Sequence, residues 1–97
     1  MEKVRVIARA VARDGKADEL KALLLKMVKP TRAEDGCIYY ELLESNIPGL
    51  FYYNELWQSK AHLDAHAASK HFKEILGCTA SGLLKEPLEV SFLHEVQ

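Results

Sequence analysis

Two stretches of alternating side chains, Cys37 to Glu44 and Leu50 to Trp57, are separated only by Ser45-Asn46-Ile47-Pro48-Gly49. A loop this short, with Pro and Gly in it, joins neighbouring antiparallel strands. Successive strand residues point to opposite faces, so the hairpin defines a sheet with two distinct surfaces. Each strand sends one tyrosine to each surface: Tyr39 opposes Tyr40, and Tyr52 opposes Tyr53. The rest of the 97-residue chain must be arranged around this hairpin.

The flanking segments restrict that arrangement. From Lys3 to Ala12, Val4, Val6, Ala8 and Ala10 alternate with Arg5, Ile7, Arg9 and Val11, which predicts a strand. Asp14-Gly15-Lys16 is a turn. Ala17, Leu20, Leu23, Leu24, Met27 and Val28 then follow the spacing of an amphipathic helix. Pro30 ends or kinks that helix. A last turn can run to Ala33, with Gly36 closing it in the left-handed conformation. Beyond the hairpin, Ser59 caps a helix from Lys60 to about Ala67. Ser69 caps another, whose apolar face carries Phe72, Ile75, Leu76, Thr79 and Leu83. Pro87 ends that region. Leu88, Val90, Phe92, His94 and Val96 alternate with Glu89, Ser91, Leu93 and Glu95 in a final strand.

The resulting order, β-α-β-β-α-α-β, is an α+β, ferredoxin-like split βαβ with its second helix broken in two. It occupies one domain, residues 1–97. Four antiparallel strands carry the helices on one face, and the other face keeps apolar residues. A monomer should not leave such a face in water. The expected solution is a homodimer, with a second copy of the chain packed sheet against sheet.

Composition removes several function classes. Apolar residues make up 48% of the chain, enough for a core. Charges are interspersed and sum to −1, so there is no basic stripe for nucleic acid. No apolar run approaches the roughly 20 residues of a membrane span. Met1-Glu2-Lys3-Val4 opens directly into a strand, without an apolar signal region. The expected location is therefore the cytoplasm, with Cys37 and Cys78 as free thiols. Neither cysteine has zinc-site spacing.

The segment Asn54-Glu55-Leu56-Trp57-Gln58-Ser59-Lys60-Ala61-His62-Leu63-Asp64-Ala65-His66-Ala67-Ala68-Ser69-Lys70-His71-Phe72 resembles the antibiotic biosynthesis monooxygenase family. The recurring pattern there is a strand ending Glu-x-Trp, a Ser, a His-Leu-x-x-His helix, then Ser-x-His-Phe. Val4-Arg5-Val6-Ile7-Ala8 and Pro30-Thr31-Arg32-Ala33-Glu34-Asp35-Gly36-Cys37 fit it as well. The resemblance spans nearly the whole chain and implies a dimeric α+β barrel. Members include small monooxygenases that oxidise hydroquinones or phenols with dioxygen and use no metal, flavin or haem. Other members degrade haem or process a phosphorylated autoinducer. The haem-degrading relatives carry an Asn on the first strand, where this chain has Ala8.

Cofactor-free oxygenation requires an apolar cleft with a positioned base. The expected cleft lies between sheet and helices, and a small aromatic substrate is the implied ligand. Trp57 reads as a wall of that cleft or as a core residue closing the sheet end. Glu55 shares a face with Phe51, Tyr53 and Trp57. It reads as a proton carrier with a raised pKa or as half of a structural ion pair. Asn54 points to the opposite face, towards the dimer partner. His62 and His66 lie four apart on one helix; a zinc ion would need a third ligand that the sequence does not reveal. By the resemblance, His66 and His71 recur beside the cavity, as bases or as helix-start hydrogen-bond partners. The candidate catalytic set is therefore Glu55, Trp57, His66 and His71. The candidate substrate-binding set is Phe51, Tyr53, Trp57 and Phe72. Two alternatives stay open: a non-catalytic binding module, and an isomerase-like enzyme that needs no oxygen.

Overall fold

The structure, a computed structural model, describes residues 2–97; the side chains of residues 78–80 lie outside that description. The expectations for Cys78 and Thr79 therefore fall outside it. Eight elements follow one another: β1 (Val4–Val11), α1 (Ala17–Lys26), α2 (Val28–Arg32), β2 (Cys37–Glu44), β3 (Leu50–Trp57), α3 (Lys60–Ala67), α4 (Lys70–Ser81) and β4 (Glu89–Leu93). The strands form one antiparallel sheet in the order β2-β3-β1-β4. This is the split βαβ arrangement predicted from the order of elements.

The register determines which residues share a face. Val6 lies opposite both Glu55 and Phe92, Ala8 opposite both Tyr53 and Val90, and Tyr40 opposite Glu55. All of them point towards the helices. Leu20 and Leu24 of α1, Leu63 of α3 and Ile75 of α4 are buried in the same core cluster. Burying each such aliphatic side chain contributes about 1.5–3 kcal/mol.

The first helix departs from the simple reading. It is interrupted at Met27, and Pro30 falls inside α2. A proline ring clashes with the carbonyl four residues earlier. For Pro30 that residue is Lys26, where α1 ends. Pro30 costs α2 no hydrogen bond, because amides of a first helical turn have no partner within their own helix.

The two serine caps form as the spacing indicated. Ser59 Oγ accepts from the His62 amide, and Ser69 Oγ accepts from the Phe72 amide. Leu76, expected on the apolar face of α4, is 55% exposed, whereas Ile75 is buried. α4 packs against α1 and α3. The last strand is also shorter than its alternation suggested. Its pairing with β1 runs only from Glu89, opposite Arg9, to Leu93, opposite Arg5, so Leu88 and residues 94–96 lie outside the strand.

Gly36 closes the turn after α2 at φ +82. A Cβ there would lie 2.2 Å from the His62 ring. Only glycine lets this turn pass directly beneath α3. On the sheet face away from the helices, Arg5 Nη1 donates to Asn54 Oδ1 at 3.0 Å. Tyr39, Leu43 and Leu93 stand partly exposed on that face.

Candidate functional site

A cavity of about 200 Å³ lies between the inner sheet face and α3 and α4. Val6 and Ala8 form its floor; Leu63 and Ile75 roof it. Phe72, Val90 and Phe92 stand at its sides. Small residues on β1 make the space, since Ala8 leaves room where a larger side chain would fill it.

Strand alternation brings Glu55 and Trp57 to the same surface, two residues apart. The Trp57 indole Nε1 donates to Glu55 Oε1 at 2.9 Å. Glu55 is 4% exposed. Burial pushes its carboxyl up to about 7; the indole hydrogen bond pulls the other way, and the Glu34 charge adds to the rise. Among the described residues no lysine or arginine pairs with it, so the indole takes the place of the ion-pair partner considered from the sequence.

His66 projects from α3 towards the same region and is 3% exposed. Its ring lies over Trp57 with centroids 4.7 Å apart and meets the edge of Phe72 at 5.2 Å. Nδ1 is 2.7 Å from Glu34 Oε2. Burial lowers the pKa of the imidazole, and the hydrogen bond to Glu34 partly offsets this. Glu34 Oε2 is also 2.5 Å from His71 Nε2. One carboxylate oxygen thus joins the turn after α2 to both α3 and α4.

Among the described residues, the buried side-chain polar atoms without a partner come down to Thr31 Oγ1. Glu55 Oε2 and His66 Nε2 are therefore not sealed in the core, and neither has a hydrogen bond. Both residues line the cavity. They give an apolar space one polar end, made of a carboxyl and an imidazole. Such a pair can take a proton from a bound hydroxyl and return one.

Of the residues singled out from the sequence, Tyr53, Glu55, His66 and Phe72 border the cavity. Trp57 and Phe51 are fully buried and do not line it. Trp57 acts on the cavity through Glu55 and His66. His71 does not line the cavity; it meets the site through Glu34 and through its ring, 5.7 Å from that of His66. The Tyr53 hydroxyl donates to the Leu24 carbonyl at 2.6 Å, so its ring packs while its oxygen is engaged. The Tyr40 ring lies 4.7 Å from that of Tyr53, and burial pushes its phenol far up. His62 departs from His66: its Nδ1 is 2.8 Å from Ser59 Oγ, and its ring faces the turn at Gly36.

Glu34 is the residue the sequence reading missed, and Val90 and Phe92 were not assigned to the site. Glu34, His66 and His71 present three ligand-type atoms within 4.8 Å of one another. The nitrogen–oxygen separations of 2.5 and 2.7 Å are hydrogen-bond lengths. Tetrahedral zinc with bonds near 2.0–2.1 Å holds its ligand atoms roughly 3.3 Å apart. The cluster is spaced for protons and would have to open to admit a cation.

Comparison with known proteins agrees with this architecture. The profile of the family described as antibiotic biosynthesis monooxygenase matches residues 3–77. The Mycobacterium tuberculosis protein Rv0793, provisionally named a monooxygenase, is 40% identical over 90 residues, covering 93% of this chain and 88% of its own. Its solved structure superposes with a TM-score of 0.90 over 99% of this chain and 97% of that one. PA3566 from Pseudomonas aeruginosa superposes with a TM-score of 0.90 at 30% identity, covering 100% of this chain and 97% of its own. The matched span runs from β1 into α4 and includes Glu34, Glu55, Trp57, His66 and His71; this chain belongs to the antibiotic biosynthesis monooxygenase family.

Proposed function

We propose that the chain oxidises a phenol or hydroquinone of one or two rings with dioxygen, inside the cavity beneath α3 and α4, using its own side chains and no metal, flavin or haem. One observation carries this reading: a buried carboxyl, Glu55, and a buried imidazole, His66, line one mostly apolar cavity. The volume of about 200 Å³ is below the roughly 300–1,000 Å³ typical of drug-sized sites and suits a small planar ring. The substrate hydroxyl meets the polar end and gives up its proton. The anion is then electron-rich enough to form a carbon–oxygen bond with dioxygen at a ring carbon bearing hydrogen. The peroxide takes a proton. Loss of the ring hydrogen as a proton, with departure of hydroxide, leaves a carbonyl and water. One oxygen atom enters the product and the other leaves as water. The apolar walls keep bulk water from the peroxide.

The test is oxygen uptake by purified protein across a panel of hydroquinones without added cofactor. One dioxygen consumed per quinone formed, well above the buffer rate, is expected. Uptake at the buffer rate across the panel contradicts the reading. A carboxyl and an imidazole on one cavity also suit a proton shift within a substrate. Turnover that persists without oxygen would favour that isomerase-like chemistry.

The assembly we propose is a homodimer that covers the sheet face opposite the helices. Tyr39, Leu43 and Leu93, at 41%, 43% and 43% exposure, support it. Sedimentation showing a monomer at micromolar concentration argues against it. No described helix is long and apolar enough to cross a membrane.

A further inference from the structure

We infer that Glu34 is a positioning residue that fixes the tautomer of His66, so that His66 Nε2 is the proton acceptor of the cavity and Glu55 faces it as the proton donor. The catalytic part of this inference rests on the function proposed above; the tautomer does not.

Ser69 Oγ lies 2.6 Å from the His66 carbonyl and donates to it. That bond uses the only proton of the hydroxyl. Towards His71 Nε2, 3.2 Å away, the Ser69 oxygen can only accept. His71 therefore carries its proton on Nε2. The same N–H also points at Glu34 Oε2, 2.5 Å away. This oxygen is now an acceptor, and it faces His66 Nδ1 at 2.7 Å. An imidazole nitrogen is more basic than a carboxylate oxygen, so the shared proton sits on the ring. His66 thus has Nδ1–H, and a neutral imidazole has only one ring proton. Its Nε2 is left with the lone pair on a residue that lines the cavity, and among the described residues no hydrogen bond engages it.

The hydrogen bond made by one ring nitrogen decides what the other can do. Without Glu34, His66 is free to place its proton on Nε2, and the cavity then meets a donor where it needs an acceptor. The negative carboxylate also stabilises the imidazolium that forms once the substrate proton arrives. Glu55 has the complementary arrangement. Trp57 holds Oε1, which leaves Oε2, on a residue that lines the cavity, to deliver the proton that the peroxide requires. His71 acts by holding Glu34 in place from α4. Proton uptake and proton delivery are thus assigned to different side chains on different elements.

Two-bond proton–nitrogen NMR correlation of the imidazole rings tests this directly at a pH where His66 is neutral. The wild-type protein is expected to show His66 protonated on Nδ1. In Glu34→Ala the proton is expected on Nε2, with kcat lowered about 100-fold and KM within about threefold, because a positioned base supplies 10²–10⁴ in rate. Glu34→Gln keeps an oxygen that can accept, so it should retain the Nδ1–H tautomer with a smaller loss of kcat. A wild-type spectrum with His66 protonated on Nε2 overturns the inference even if oxygen uptake is observed. So does a Glu34→Ala protein, folded by circular dichroism, whose tautomer and kcat match the wild type. The expected tautomer in a protein inactive towards every quinol leaves Glu34 as the positioning residue and overturns the proposed reaction instead.

Discussion

At the Trp57 end of the cavity, side chains from three elements and the turn after α2 hold one another: Trp57 donates to Glu55, Glu34 accepts from His66 and His71, and Trp57, Glu55 and His66 are 0%, 4% and 3% exposed. At the β4 end, Val90 and Phe92 are 43% and 62% exposed, and β4 pairs on one edge only. The first region has its dipoles and tautomers set before anything binds. That is what proton transfer needs, since reorganisation at the moment of reaction adds to the barrier. The second region makes apolar contact without fixed geometry, which suits a wall that adapts to the size of a ring. The matched family span ends at residue 77, so it contains the first region and not β4. The hydrogen-bonded end and the exposed β4 end are thus separated in sequence as well as in space.

Substitutions that remove one region at a time make this contrast measurable. Trp57→Ala is expected to have the largest effect. It removes a fully buried indole and should cost about 3–5 kcal/mol in chemical denaturation, while also freeing Glu55 Oε1 and uncovering the His66 ring. A cost below about 1 kcal/mol would show that the polar end is not held as the hydrogen bonds indicate.

Next is the pH dependence of stability. The Glu55 carboxyl has a folded-state pKa of about 7, against 4.5 ordinarily. Between those values the folded chain binds the extra proton, so stability falls as pH rises and levels off above about 7. The loss should be about 3 kcal/mol. His66 acts in the opposite sense: its pKa is lowered by burial, so its cost appears as pH falls below 6.5. Comparing wild type with Glu55→Gln isolates the carboxyl. The variant should match the wild type near pH 5 and exceed it at pH 8. The same variant should lose about 100-fold in oxygen uptake, the contribution of a single proton carrier.

The smallest effect belongs to the open wall. Phe92→Ala removes a side chain that is mostly in water, so stability should change by about 0.5 kcal/mol or less. KM for a hydroquinone should rise a few-fold with kcat nearly unchanged. A fall in kcat as large as that for Glu55→Gln would erase the distinction between the two ends.

The sequence exposed the parts of this molecule that depend on neighbours along the chain. The hairpin, both serine caps and the shared face of Phe51, Tyr53, Glu55 and Trp57 rest on spacings of a few residues, and the structure has them. Depth was harder to read. Alternation puts Phe51 and Trp57 on the inner face, yet helix coverage decides that both are sealed rather than lining the cavity. Glu34 was out of reach for another reason. It meets His66 and His71 across 32 and 37 positions. That contact depends on how the Gly36 turn docks beneath α3, and no periodicity links the two segments. A signal was present in the left-handed Gly36, which indicates a tight turn, but not in what lies above it.

Glu55 lines the cavity, and its carboxyl should still be half protonated near neutral pH. Carbon-13 NMR titration of its carboxyl carbon, assigned by comparison with Glu55→Gln, tests this most directly. A midpoint near 7 that moves when a phenol is added is expected. A midpoint between 4 and 5 that ignores the phenol would contradict it.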